Sequence, residues 1–170
     1  SRMNETSKEV AEYIDKFQLD DVAKAVYEFL RGDFCDWYVE LAKVRLYNDD
    51  DAAKASKTTA QYVLWTVLET GLRMLPPFMP FITEEIWQKI KVEGDAIMIQ
   101  EYPVADESLI NRDIENSFKY IKEVISSLRN IKAEMGISPA KEVKVIIKTS
   151  DEMELKTLED NYIFITKLAK

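Results

Sequence analysis

Three clusters carry the residue types that chemistry needs. Glu84 and Glu85 form a carboxylate pair, Asp49, Asp50 and Asp51 form a run of acids, and residues 34 to 38 read FCDWY. A carboxylate pair can run acid–base catalysis. Here it follows Thr83 and precedes IWQKIK, the pattern of a capped helix start with acids at the positive end of its dipole. The aspartate run could hold a divalent cation. It lacks the alternating ligands and the glycine of a calcium loop, and reads as a solvated turn. The chain has no histidine, which removes His-based triads, His metal ligands and the usual near-neutral acid–base group. Its single cysteine, Cys35, makes no internal disulfide or thiolate zinc site and fits a reducing compartment. No catalytic residue and no metal ligand is therefore assigned. What remains is FCDWY, an aromatic cluster that either fills a helix core or stacks on unpaired bases.

The elements that must position it are helical. The 170 residues suffice for one ordinary domain, or one domain and a small appendage, and 46% apolar with 32% charged residues is a globular composition. Only four glycines occur, which favours helices. No apolar run reaches the length of a membrane span, and SRMNETSKEV is not a signal peptide, so a soluble, cytoplasmic protein is expected.

Val10, Ile14 and Phe17 mark one face of a helix over about 4–17. It has no clear cap, which predicts that the sequence begins inside a longer protein. Asp20 reads as the cap of a second helix running to about Tyr47, with Val22, Val26, Phe29, Leu30, Phe34, Trp37, Leu41 and Val44 as its stripe. On that helix Trp37 belongs to the core, while Phe34 and Tyr38 lie nearer the margin, open to base stacking. A third helix covers about 52–75 and ends at LPPFMPF, where the prolines break it. Phe78, Met79 and Phe81 are expected as buried plugs there, and Thr83 starts a short helix.

After residue 93 the character changes. AIMIQ (96–100) leans to a strand, and a long helix over about 110–135 ends at Gly136. KEVKVIIKTS alternates as a half-exposed strand, and two helical pieces follow. Two short strands make a marginal sheet, which predicts a third strand beyond Lys170. The expected fold is mainly α: an antiparallel helical bundle over 1–93 with a small α+β appendage of two short strands over 94–170.

Net charge is −8, which taken alone argues against nucleic acid. Screening limits reach to about 8 Å at physiological salt, so a phosphate feels the local balance. Residues 119–148 hold Lys119, Lys122, Arg129, Lys132, Lys141, Lys144 and Lys148 against Glu123, Glu134 and Glu142, a local +4 that leaves −12 for the rest.

FCDWYVELAK, TVLETGLRMLPPFMPFITEEIWQKI, IMIQEYP and RNIKAEMGISPAK occur in this order. Together they resemble the region that follows the catalytic domain in bacterial-type valyl-tRNA synthetases, over nearly the whole chain. The resemblance implies a class I synthetase anticodon-binding bundle with a small extension, truncated before a C-terminal coiled coil. It implies a parent enzyme that uses ATP and Mg to attach valine to its tRNA. The region itself would carry no catalytic site and no cofactor, and would grip the anticodon stem-loop. The implied partners are valine tRNA and the catalytic domain of the same chain, with a monomer expected. KASKT (54–58) is similar to the Lys-Met-Ser-Lys-Ser loop that holds ATP in class I synthetases, but that loop works with a His-x-Gly-His stretch, impossible here. Pro76 stands where the family has His, Val44 where it often has Pro, and Lys132 where Arg is frequent.

Carried onto this sequence, the resemblance makes Phe34 and Tyr38 stacking candidates and Asp36 an acceptor for base amino groups. Lys43 and Arg45 become phosphate contacts near the loop, and Arg129, Lys132, Lys144 and Lys148 contacts to the stem backbone. For each cation the alternative is a solvated surface charge. For the chain it is an acidic helical protein-interaction domain with no RNA role.

Overall fold

The computed structural model describes residues 1–170 except Asp49, Asp51, Ala52, Val92 and Lys170. The aspartate turn considered above thus lies largely outside the described residues. The chain divides into two units, Ser1–Ile110 and Asn111–Lys170. Among the described residues both are helical and neither contains a β-strand. No helix among the described residues is long and apolar enough to cross a membrane.

In the first unit, α1 (Arg2–Asp15) is followed by α2 (Leu19–Glu28), which starts one residue before Asp20 and carries Asp20 and Asp21 in its first turn. Phe17 closes the turn between them at φ 56° with its ring 89% exposed, so it belongs to no core face. Val10, Val22 and Val26 bury against Met74 and Leu75 at the end of α4 (Lys54–Met74).

The expected second helix continues through residue 46, but its middle winds differently. Phe29–Val39 is a π-helix, and α3 (Glu40–Leu46) follows it directly. With i→i+5 bonds, side chains five apart share a face. Phe29 and Phe34 accordingly both point inward, 4% and 6% exposed. Trp37, placed in the core by α-helical spacing, is only half-buried. Leu30 seats against Gly71 of α4, where a Cβ would meet the leucine methyl at 2.6 Å. That glycine permits the close approach of the two segments.

The helix expected from Thr83 begins earlier. α5 is Pro80–Ile90, with Pro80 in its first turn, where a missing N–H costs nothing. Thr83 is buried one turn in, its hydroxyl donating to the Met79 carbonyl at 2.8 Å. The break at 76–79 buries only part of its apolar residues. Phe78 packs against the core, whereas Met79 and Phe81 are exposed and are not plugs.

The predicted strand at 96–100 is a 3-10 turn, Ile97–Ile99. The Ile97 amide donates to a Glu84 carboxylate oxygen at 2.8 Å instead of to a ladder, and the Ile97 side chain packs on Leu72 and Trp87. Beyond it, Arg73 donates to the Glu101 carbonyl at 2.9 Å and the Asp106 amide to Asn4 at 3.0 Å. Residues 94–110 therefore pack on the helices before them, and the first compact unit runs to Ile110.

In the second unit, α6 (Arg112–Glu134) is capped by Asn111, and α7 (Glu152–Asp160) by Asp151. α8 is Tyr162–Leu168. Ile121, Ile125, Leu158, Ile165 and Leu168 are buried. Gly136 ends α6 at φ 64°, the left-handed position that a C-terminal cap needs. The predicted strand at 141–150 forms no strand among the described residues: Val143, Val145 and Ile147 are all exposed. Alternation makes a strand only where a ladder satisfies the backbone, and its expected partner segment is the 3-10 turn of the first unit. The two-stranded appendage is thereby corrected to a unit of helices with an irregular connection, without strands among the described residues.

Candidate nucleic-acid interface

The π-helix decides which part of FCDWY reaches solvent. Phe34 is buried, and its ring stacks on Tyr38 with centroids 6.2 Å apart and planes 15° from parallel. An inward-facing ring offers no face to a base, so Phe34 is a packing residue. Tyr38 is half-buried; burial pushes its hydroxyl pKa up, while the Arg45 charge pulls it down. Cys35 and Asp36 are exposed.

One helical step on, α3 brings the two expected cations of this unit close. Lys43 is exposed and pairs with Glu40 at 2.5 Å. Arg45 donates from Nε to the Ser56 hydroxyl at 2.8 Å. The serine of KASKT thus holds the arginine that lies beside Tyr38, at the junction of α3 and α4. The structure brings Tyr38, Arg45 and Ser56 together, with Lys43 two residues away on α3. Glu40 already offsets part of the Lys43 charge.

The second unit sorts its four candidates into two kinds. Lys132 is buried, 9% exposed, and its ammonium donates to the carbonyls of Pro139 at 2.8 Å and Lys141 at 2.9 Å. It ties the loop after α6 to that helix, with two of its three N–H donors turned to these carbonyls rather than to solvent. The spacing missed this because Pro139 curls the chain back over α6. Arg129 is exposed and donates from Nε to the Leu168 carbonyl at 2.8 Å. Lys144 and Lys148 are exposed on the irregular connection between α6 and α7, with no ion pair among the described residues.

Another pair was missed. Tyr27 and Arg31 lie one α-helical turn apart, with the guanidinium donating to the tyrosine hydroxyl and standing 5.7 Å from its ring centroid. Their i,i+4 spacing was visible in the sequence, but it held no apolar stripe to draw notice.

Residues 1–147 match the family described as the anticodon-binding domain of tRNA ligase. The chain is 71% identical over 169 residues to a valine–tRNA ligase of Fusobacterium nucleatum, covering 99% of this chain and 19% of that protein. It is 38% identical to a valine–tRNA ligase of Synechocystis sp., over 100% of this chain and 19% of the relative. A valine–tRNA ligase of Aquifex aeolicus is 37% identical, over 100% of this chain and 15% of the relative. The chain therefore spans about a fifth or less of the length of these curated relatives.

Proposed function

The chain belongs to the anticodon-binding domain family of tRNA ligases, and from that premise we propose that it grips the anticodon stem-loop of valine-accepting tRNA for a valine–tRNA ligase. The observation that carries the reading is the family match across 1–147, which takes in FCDWY and the end of α6. It is supported by the exposed Asp36 and by Tyr38, Lys43 and Arg45 gathered near the α3–α4 junction. Asp36 and Tyr38 meet bases of the loop, and Lys43 and Arg45 its phosphates. Arg129, Lys144 and Lys148 contact backbone phosphates from the second unit.

In this reading the ATP- and Mg-dependent esterification belongs to the rest of the polypeptide, and this part only positions tRNA. The protein works in the cytoplasm as a monomer. Its second partner is the catalytic part of the same polypeptide, for which the exposed Met79, Phe81 and Ile82 supply apolar surface. Binding of valine tRNA and of an unrelated tRNA is measured by gel retardation between 50 and 200 mM salt, with log K falling linearly in log salt by about 0.9 per phosphate neutralised. Reversing Lys144 and Lys148 to Glu lowers both the affinity and the slope. Equal affinity for the two tRNAs refutes the specificity; an unchanged slope removes the two lysines from the interface.

A further inference from the structure

We propose that Tyr27, Arg31 and Asp36 form a docking site for one unpaired RNA base, whose ring lies on the guanidinium and phenol and whose amino group donates to the carboxylate. The inference deepens the reading above and rests on it.

The site exists because of the change in winding. On an α-helix Arg31 and Asp36, five residues apart, face in different directions. In the π-helix Phe29–Val39 positions five apart are neighbours, so the spacing that turns Phe29 and Phe34 inward brings Arg31 and Asp36 to one outer face. The Arg31 pKa is raised first by the hydrogen bond to Tyr27 and the charge of Tyr27, and after them by the Asp36 carboxylate. Tyr27 joins that face from the last turn of α2.

All three side chains are exposed; Tyr27 keeps 54% of its surface in solvent. Among the described residues Arg31 makes one hydrogen bond, to the Tyr27 hydroxyl, and no ion pair closer than 4 Å, although its remaining N–H groups are donors. That bond fixes one flat group beside another. A planar cation beside an aromatic ring is a stacking surface for any base, and an adjacent carboxylate accepts from an exocyclic amine. The local charge selects a base over a phosphate. Asp36, five residues on in the π-helix, offsets part of the single arginine's charge, so a polyanion gains little here.

The test uses this chain and a fluorescent hairpin with the anticodon arm of a valine tRNA, compared with a hairpin of the same stem and a scrambled loop. Arg31→Ala and Arg31→Lys each weaken binding of the valine hairpin about tenfold, because a lysine keeps the charge and loses the flat fork. The slope of log K against log salt stays as in the unaltered chain. Tyr27→Ala behaves the same way, and Asp36→Asn narrows the preference for the valine loop over the scrambled one. The side chains are exposed, so the variants fold, which far-UV circular dichroism verifies. Wild-type affinity for Arg31→Lys, or a shallower slope for Arg31→Ala, makes Arg31 a phosphate contact and overturns the proposal. So does unchanged affinity for Arg31→Ala while the unaltered chain still prefers the valine loop. If the unaltered chain shows no preference between the hairpins, the anticodon reading itself fails and this site with it.

Discussion

The rings of Phe34 and Tyr38 lie 6.2 Å apart and nearly parallel, the first buried and the second half in solvent. One side chain therefore holds the other in place, and the two separate stability from binding. Phe34→Ala removes a buried ring and leaves a cavity, so it costs about 3–5 kcal/mol of unfolding free energy. Phe34→Leu keeps most of the volume and costs less. Tyr38→Ala loses less stability than Phe34→Ala and weakens RNA binding at pH 7 by more than Phe34→Leu does. Urea unfolding and hairpin titration of the three variants read both effects. A Phe34→Leu variant that folds normally but loses RNA binding would return Phe34 to the interface.

Lys132 is a structural cation. Replacing it with Met leaves the Pro139 and Lys141 carbonyls without their charged donor. Each hydrogen bond to a charged group is worth about 1.5–3 kcal/mol, offset in part because the ammonium no longer has to be held out of water. The expected loss is about 2 kcal/mol, read as a lower denaturation midpoint. The slope of log K against log salt for RNA binding is unchanged, since no phosphate contact is removed. A drop of about one phosphate in that slope, with stability intact, would reverse the assignment.

The same residues show what the sequence could and could not carry. The apolar stripe through Val22, Val26, Phe29 and Phe34 made a long helix legible, because burial repeats whatever the exact winding. It did not reveal the switch from i+4 to i+5 bonding, since Gly32 reads only as a weak α-helical position. That switch left Trp37 half-buried and brought positions five apart, such as Phe29 and Phe34, to one side. Val143, Val145 and Ile147 carried a true alternation, yet a strand is a property of a pair, and sequence spacing says nothing of whether a ladder closes. Lys132 looked like its neighbours in a basic stretch. Its role depends on where Pro139 turns the chain, a tertiary event that local charge counting does not register. Lys43 and Arg129 stayed exposed yet each took a local partner, Glu40 and the Leu168 carbonyl, which charge counting does not foresee either.

Glu84 links α5 to the 3-10 turn through the Ile97 amide and also accepts from Gln88. The Gln88 bond first, and the Ile97 amide second, hold its carboxyl below the ordinary value of 4.5. A carboxylate whose folded pKa lies below its unfolded one stabilises the fold at pH above the unfolded value. That contribution fades as pH falls through the folded value. The stability gap between the unaltered chain and Glu84→Gln is therefore flat from pH 7 down to about 5.5 and narrows below pH 4.5. Urea midpoints at several pH values check it. A gap that widens on acidification contradicts the assigned hydrogen bonds.

Phe17 combines a left-handed backbone with a ring left in water. Its backbone is fixed by the turn: its own amide donates to the Ile14 carbonyl at 2.9 Å, and the Gln18 amide to the Tyr13 carbonyl at 2.9 Å. A bulky L-residue held at positive φ costs roughly 1–2 kcal/mol, whereas asparagine tolerates that region and glycine enters it freely. Because the ring buries almost nothing, its removal forfeits little. Phe17→Asn should therefore raise stability by about 1 kcal/mol, and Phe17→Gly by somewhat less, since glycine gives the unfolded chain more freedom. Thermal unfolding of the two variants distinguishes this from a packing role. If both melt below the unaltered chain, the Phe17 ring is covered in solution and the strain is outweighed by what covers it.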